Sequence, residues 1–134
     1  MKAIIIAAGK GSRLKHLTTD RPKCLVEVNG KSMLQHQLDA YRANDIHDIH
    51  IVKGYMQEKI DLPDITYYIN DQYEHNSILH SLMYAEEAMD DSFIATYSVL
   101  KPRTTGVSPW VKAFLTDRRS AGGEGALTFL PARP

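Results

Sequence analysis

The sequence predicts an α/β fold with a mainly parallel sheet. Along residues 1–98, short apolar runs of strand character alternate with segments of helical periodicity. The first run, Lys2–Ala7, is continuous and rich in isoleucine, as in strands that are buried on both faces. Because parallel neighbours need a crossover rather than a tight turn, strands that alternate with helices indicate a parallel sheet with right-handed crossovers.

The middle elements follow from local patterns. Residues 25–28 form a short strand that enters a tight turn at Asn29-Gly30. Ser32 and Gln35 have capping-box spacing, which predicts the start of a helix. The apolar stripe of that helix comprises Met33, Leu34, Gln37, Leu38 and Tyr41. Strands are expected at residues 49–52, 65–69 and 93–97, with a short helix at 56–60.

A further helix is expected before the last of these strands. Asn76 or Ser77 caps its start. Its apolar face comprises Ile78, Leu79, Leu82, Met83, Ala85 and Met89.

The composition of the chain changes abruptly after Ser98. Residues 1–98 contain every histidine, tyrosine and isoleucine and have ten Lys and Arg against fourteen Asp and Glu. Residues 99–134 contain four of the six prolines and have six Lys and Arg against two Asp and Glu. We therefore expect residues 99–134 to be a divergent, irregular tail with one short helix at 110–115.

Several function classes are disfavoured by composition. The formal net charge is 0, without the basic excess of a general nucleic-acid binder. No apolar run approaches the roughly 20 residues of a membrane span. Cys24 is the single cysteine, so no internal disulfide can form, which favours a reducing cytoplasm. We interpret Cys24 as a buried, inert thiol rather than a nucleophile.

The loop after the first strand has the character of a phosphate site. Gly9 and Gly11 allow the backbone to turn sharply and to expose N–H groups to an anion. Ser12 adds a hydroxyl, and Arg13 adds a fork of donors suited to phosphate oxygens. Lys23 supplies a second cation ten residues later. Ligands in parallel sheets bind at the carboxyl ends of strands, where this loop begins.

Glycine spacing alone leaves alternatives open. A Walker loop needs a Gly-x4-Gly-Lys-Ser/Thr pattern that the chain lacks, and a dinucleotide fingerprint needs glycine where Leu14 stands. A simple glycine turn between core elements explains the Gly-x-Gly equally well.

The longer pattern is more specific. Residues 7–14, then Leu17-Thr18 and Pro22-Lys23, resemble the signature of the nucleotidyltransferases that make nucleotide-activated sugars and alcohols. The resemblance continues through residues 25–34 and 52–55 and implies Rossmann-like, three-layer architecture. Residues 70–73, 76–78 and 81–82 look like the branch that includes phosphocholine and aminoethylphosphonate cytidylyltransferases. The resemblance as a whole covers residues 1–98, the nucleotide-binding first half of a typical family member.

This resemblance implies CMP transfer from CTP to a phosphorylated small molecule, with release of pyrophosphate. Arg13 and Lys23 would act on the phosphates as catalytic groups. Gly11 and Ser12 would bind the same phosphates. The remaining implied nucleotide contacts are Ala7, Ala8, Gly9, Gly54, Asn76 and Ser77. For Asn76 and Ser77, a purely structural cap explains the residues equally well.

The pattern breaks where the family has a metal-binding aspartate. That residue should follow Ser98, and Val99 stands there instead. The family's Mg²⁺ is therefore expected to lack its protein ligand, which would impair transfer. We expect residues 99–134 to come from a shifted reading frame or an equivalent join. The alternatives are a nucleotide-binding fragment without catalysis, a sugar-1-phosphate nucleotidyltransferase, and a fragment whose unprotected sheet edge after residue 97 causes aggregation.

Overall fold

The computed structural model describes residues 1–75 and 77–98, together with two strand segments near the C-terminus. The strands are β1 (Lys2–Ala7), β2 (Glu27–Val28), β3 (Lys31–Ser32), β4 (Asp48–Lys53), β5 (Ile65–Ile69), β6 (Phe93–Ser98), β7 (Val111–Thr116) and β8 (Leu127–Thr128). The α-helices are α1 (Met33–Ala43) and α2 (Ile78–Met83). Shorter 3₁₀ segments are Ser12–Thr18, Lys23–Leu25, Gln57–Lys59 and Glu86–Ala88.

The main sheet has the strand order β5-β4-β1-β6-β7-β8. Strands β5, β4, β1 and β6 are parallel to one another, whereas β7 pairs antiparallel with β6 and β8 pairs antiparallel with β7. The predicted α/β fold with a mainly parallel sheet is therefore confirmed. After β1 the chain builds the sheet toward β4 and β5 and later returns to add β6 on the other side of β1. The strand order thus reverses beside β1, which is where ligands bind in open α/β sheets.

Alternate residues of β1 face two different cores. Ala3, Ile5 and Ala7 pack in the cluster that includes Leu34 and Leu38 of α1. Ile4 packs in a second cluster, with Ala85, Ala88 and Met89. Because successive side chains of a strand point to opposite faces, an uninterrupted apolar strand requires cover on both sides. The continuous apolar run of β1 thus follows from its position in the middle of three layers.

The segment that leads into α1 is a small hairpin. Asn29 and Gly30 have φ values of +53° and +77°, so the tight turn joins β2 to β3 as a two-residue loop. Ser32 Oγ accepts a hydrogen bond from Gln35 N at 3.0 Å, which confirms the predicted cap. The Gln35 side chain instead donates to Asp39, so the reciprocal half of the capping box is absent from this helix start. All five predicted stripe residues of α1 are buried.

Two local predictions were wrong in extent. Only Glu27–Val28 of the predicted 25–28 strand is a β-strand, because Leu25 belongs to the 3₁₀ turn Lys23–Leu25. The predicted helix at 56–60 is the single 3₁₀ turn Gln57–Lys59. These segments are too short for periodicity to distinguish one turn from a helix or a strand.

The helix α2 is shorter than its apolar pattern suggests. It ends at Met83, and Ala85 lies beyond it, before a separate 3₁₀ turn. Ile78, Leu79 and Met83 are 47%, 65% and 46% exposed, so half of the predicted apolar face is not buried in the described part of the chain. The sequence pattern was correct in its periodicity but not in its length, because the second core is completed by residues of the following turn.

The predicted helix at 110–115 is contradicted. Residues Val111–Thr116 form strand β7, which pairs antiparallel with β6 from Phe93↔Thr116 to Ser98↔Val111. Without β7, the N–H and C=O groups along this edge of β6 would be unpaired. The hydrogen bonds that β7 forms with them favour a strand over the helix that the local sequence predicted. The edge of β6 that we expected to be unprotected is therefore paired.

Within the described residues, no helix is long and apolar enough to cross a membrane.

Candidate functional site

A cavity of about 260 Å³ opens where β1 and β6 end. Its position at the reversal of strand order is the place that the topology predicts for a ligand. The lining comes from the end of β1 and its loop, from the 3₁₀ turn at Lys23, from the segment around α2, and from β6. The lining residues are Ile6, Ala7, Ala8, Gly9, Gly11, Lys23, Cys24, Tyr73, Ser77, Ile78, Ser81 and Tyr97.

Gly11 brings the Lys23 side chain against the loop. Gly11 has φ +68°, a conformation that glycine adopts without strain. A Cβ atom at Gly11 would lie 2.8 Å from Lys23 Cβ and 3.0 Å from its Cγ and Cδ. The absence of a side chain at Gly11 therefore lets the lysine stem lie flat against the loop. A Cβ atom at Gly9 would meet no other heavy atom within 4 Å. The role of Gly9 is therefore to leave the cavity unfilled rather than to permit a turn.

Tyr55 holds the loop from outside the cavity. Its N–H donates to Ala8 O at 3.0 Å, and its hydroxyl donates to Thr18 O at 3.0 Å. Thr18 Oγ1 donates to the carbonyls of Gly11 and Lys15. The Lys10 ammonium lies 5.4 Å from the centre of the Tyr55 ring. One tyrosine after β4 thus fixes both ends of the segment between β1 and Thr18.

Gly54 supports the cavity wall by close packing. A Cβ atom there would lie 2.9 Å from Tyr73 Cβ and 3.0 Å from both Ala8 Cβ and Ala8 O. Because Ala8 and Tyr73 both line the cavity, Gly54 acts as a spacer behind two lining residues. The rings of Tyr73 and Tyr55 also form a T-shaped contact, with ring centroids 6.1 Å apart.

Two serines of the α2 segment reach the cavity with different surroundings. Ser77 is exposed and caps α2, since its Oγ accepts from His80 N at 3.4 Å. Ser81 is only 6% exposed, and its Oγ accepts from Asn70 Nδ2 at 2.8 Å. Asn70 is fully buried just after β5, where its Oδ1 accepts from Gln72 N at 3.0 Å.

The charge of the described lining is cationic. Lys23 contributes an ammonium, and no carboxylate is present among the lining residues that the structure describes. Burial raises the pKa of the Cys24 thiol to about 12, so this group is a neutral, poorly nucleophilic thiol at pH 7. The cavity therefore offers a positive charge, backbone groups and hydroxyls, which are the groups that bind phosphates and polar bases.

The structure brings most of the predicted site residues together. Ala7, Ala8, Gly9, Gly11, Lys23 and Ser77 all line the cavity. Ser12 begins the adjacent 3₁₀ turn and is exposed, and Gly54 lies behind the wall. The backbone of Arg13 follows in that turn. Asn76 lies outside the described residues, as does Val99.

Six lining residues were not predicted as site residues: Ile6, Cys24, Tyr73, Ile78, Ser81 and Tyr97. Tyr73 and Ser81 stand in the segments quoted for the cytidylyltransferase resemblance, which was the available signal. Tyr97 ends the predicted fourth core strand, and the rule that ligands lie at carboxyl ends of parallel strands applies to it as well.

The expected loss of the Mg²⁺ ligand at Val99 stays a prediction, because this position lies outside the described residues. Mg²⁺ requires oxygen ligands, usually one or two carboxylates. Among residues 1–75 and 77–98, no group of three or more His, Cys, Asp or Glu side chains could hold a metal ion. The described lining of the cavity likewise contains no carboxylate.

Comparison with known proteins was consistent with this geometry. The family model described as the MobA-like NTP transferase domain matches residues 3–99. The chain is 37% identical over 98 residues to a choline-phosphate cytidylyltransferase of Streptococcus pneumoniae, a match that covers 70% of this chain and 43% of the relative. It is 35% identical over 96 residues to a CTP:phosphoglutamine cytidylyltransferase of Campylobacter jejuni, covering 66% and 37% of the two chains.

A solved structure gives the same result. The CTP:phosphocholine cytidylyltransferase of Streptococcus pneumoniae superposes with a TM-score of 0.64 and 34% sequence identity. The superposition covers 74% of this chain and 46% of that one. The chain thus spans less than half the length of these relatives.

Proposed function

The chain belongs to the MobA-like NTP transferase family, and on that premise we propose that its cavity binds CTP. The observation that carries the proposal is the packing of Lys23 against Gly11 at the carboxyl end of β1. This packing places a cation beside a glycine loop at the reversal of strand order, an arrangement suited to a polyphosphate. The choice of CTP rests on the two relatives, which are cytidylyltransferases.

The proposed roles divide the cavity into two ends. At one end, Gly11, Ser12, Arg13 and Lys23 hold the phosphates through backbone N–H groups, a hydroxyl and two cations. Ala7, Ala8 and Gly9 face the ribose and base. Ser77 contributes to the binding of the base, and Gly54 supports the wall from behind. Asn76 is proposed as a further nucleotide contact. Tyr55 touches no ligand in this scheme and acts by positioning the loop.

The proposed reaction of the full enzyme is CMP transfer. A phosphate oxygen of the acceptor attacks the α-phosphorus of CTP, the bond from that phosphorus to the bridging oxygen breaks, and pyrophosphate leaves with the electron pair. Lys23 and Arg13 offset the charge that develops on the leaving phosphates, which is the main catalytic contribution in phosphoryl transfer. The acceptor is a phosphorylated small molecule of the kind named for the two relatives.

A second candidate is CTP binding without turnover. The carboxylate-free lining of the described cavity favours it, because family chemistry as we infer it relies on Mg²⁺. We propose that Mg²⁺ belongs to the reaction of an intact enzyme and that the described residues of this chain do not hold it. We also propose a cytoplasmic location, based on the lone cysteine, with CTP and the acceptor as partners and without a role for nucleic acid or membranes.

The two candidates separate in a pyrophosphate-release assay with Mg²⁺ and CTP. The acceptor panel contains phosphocholine, other phosphorylated alcohols and sugar 1-phosphates. Release that requires both CTP and one acceptor, and that falls in Lys23→Ala, supports transfer. Saturable CTP binding without release from any acceptor supports the binding function. Absence of both binding and release with all four nucleoside triphosphates would refute the proposal.

A further inference from the structure

We propose that Asn70 and Ser81 form the element that distinguishes cytosine from uracil in the cavity; this inference rests on the proposed binding of CTP. Ser81 lines the cavity, and Asn70 is fully buried behind Ser81 and is not itself a lining residue. The pair joins the turn after β5 to α2 through the hydrogen bond between Asn70 Nδ2 and Ser81 Oγ.

The orientation of the Asn70 amide follows from its partners. A backbone N–H can only donate, so the amide atom that faces Gln72 N at 3.0 Å must be the oxygen Oδ1. The other amide atom, 2.8 Å from Ser81 Oγ, is therefore Nδ2, a donor. Because Asn70 has no exposed surface, water does not compete for either bond.

The orientation of the Asn70 amide determines the direction in which the Ser81 hydroxyl proton points. An oxygen that accepts from Nδ2 turns its own proton away from Asn70. In the part of the chain that the structure describes, the hydrogen bond from Asn70 is the one that the Ser81 side chain makes. Ser81 is 6% exposed and its remaining surface borders the cavity, so the hydroxyl proton is available to a ligand acceptor there.

A hydroxyl that acts as a donor can distinguish cytosine from uracil at ring position N3. Position N3 of cytosine is an acceptor, whereas N3 of uracil carries a hydrogen and is a donor. The Ser81 proton therefore forms a hydrogen bond with N3 of cytosine. Accepting the N3 hydrogen of uracil through the second lone pair of Ser81 Oγ would leave the hydroxyl proton without an acceptor among the described residues. Binding sites that select by hydrogen bonding reject the wrong ligand because a buried polar group is left unpaired.

The inference is tested by titrating the whole chain calorimetrically with CTP and with UTP. The unaltered chain is expected to bind CTP more tightly than UTP. In Ser81→Ala, the ratio of the two dissociation constants is expected to fall about tenfold, mainly through weaker CTP binding. Tyr84→Phe is the matched control: it removes one hydroxyl, which donates to Asp71 in the same two segments, and the ratio is expected to be unchanged.

Asn70→Asp gives a second, directional test. A carboxylate still accepts from Gln72 N but offers no N–H to Ser81, so the Ser81 hydroxyl donates to it and presents a lone pair to the cavity. The preference is then expected to shift toward UTP, with circular dichroism confirming that the variant is folded.

The outcomes separate this inference from the proposed function. Binding of CTP with a CTP-to-UTP ratio that Ser81→Ala leaves unchanged, or with equal losses for both nucleotides, would overturn the inference alone. A folded Asn70→Asp variant that keeps the original preference would also overturn it. Failure of the unaltered chain to bind any nucleoside triphosphate would overturn the proposed function and, with it, this inference.

Discussion

Gly11 and Gly54 are both required by their neighbours, but in different ways. Gly11 combines a positive φ with contact to the Lys23 side chain, whose flexible stem could shift. The position of a Cβ at Gly54 is blocked by the Cβ atoms of Tyr73 and Ala8 and by a backbone oxygen, which cannot move without disturbing β1. Gly9 has no such neighbour. The three glycines therefore respond differently to the same substitution.

Gly54→Ala is expected to destabilise the fold by about 1–3 kcal/mol, because it overpacks a site with contacts near 3.0 Å. Gly9→Ala is the matched control, since its new methyl group meets open space. It should change the free energy of unfolding by less than about 1 kcal/mol. Urea denaturation measures both values, and equal stability losses in the two variants would contradict the packing argument.

The buried Cys24 thiol is expected to be unreactive in the folded protein. Its pKa is raised to about 12 by burial, so the reactive thiolate is scarce and reagent access is blocked. A disulfide reagent at pH 8 should label Cys24 at least roughly 100-fold faster in urea than in buffer. Rapid labelling without denaturant would contradict the described burial of this side chain.

At this scale the sequence predicted the residues whose chemistry is visible in a motif. The glycines and Lys23 were found because charge and backbone freedom suit phosphates at a recognisable spacing. Tyr73 and Ser81 were missed because aromatic and hydroxyl residues have many structural uses, and their approach to β1 depends on how the segment after β5 folds back. Asn70 stands in a segment that carries the cytidylyltransferase resemblance, but its role was not predicted because it depends on a partner eleven residues away.

At the scale of elements, continuous patterns predicted more than short ones. The bounds of β1 and β5 were predicted to the residue, because apolar runs between breakers define strands well. The length of α2 was not, because its apolar periodicity continues into a turn that packs on the same core. The strand β7 was predicted as a helix, since its pairing with β6 is a non-local interaction that local sequence does not record.

Tyr41 links α1 to the sheet and provides a test at this scale. Its hydroxyl donates to Thr96 Oγ1 at 2.7 Å, and Thr96 is fully buried. Tyr41→Phe leaves Thr96 without this donor and should lower the free energy of unfolding by about 1–2 kcal/mol at pH 7.

The same variant should alter the alkaline pH dependence of stability. Burial raises the pKa of Tyr41 from 10.0 to about 12 in the folded state. Between these values the unfolded state releases the proton and the folded state keeps it, so stability falls as the pH rises from about 10 to 12. Tyr41→Phe removes this contribution, and the slope in that window should be shallower. Urea denaturation between pH 7 and 11 checks both effects, and unchanged stability with an unchanged slope would contradict them.

At the scale of the whole molecule, the order of the strands accounts for the location of the site. The parallel core β5-β4-β1-β6 reverses its direction of growth at β1, and the cavity lies beyond that point. The α/β class could be predicted from sequence, because strands alternate with helices. The cavity lies at the carboxyl ends of parallel strands, where the sequence led us to expect a ligand. The described arrangement of β7 and β8 could not be predicted, since they follow a change of composition where family patterns cease to help.

The boundary at residues 98–99 stays a prediction with its own test. The coding DNA can be translated in all three frames from the codon for Ser98. We expect another frame to continue with aspartate and with the isoleucine- and lysine-containing composition of residues 1–98. A DNA sequence in which no other frame continues this composition would contradict the shifted-frame proposal and make residues 99–134 part of the native design.

Calorimetric titration with CTP tests the central claim most directly. We expect saturable binding of CTP to the unaltered chain. In Lys23→Ala, binding should weaken roughly 10- to 100-fold, because a charged phosphate partner is lost. Lys2→Ala is the control, since Lys2 begins β1 at the end opposite the cavity and pairs with Asp90. Its CTP affinity should stay within about twofold of the unaltered value. No saturable binding, or equal affinity in Lys23→Ala and the unaltered chain, would contradict the assignment of this cavity to a nucleoside triphosphate.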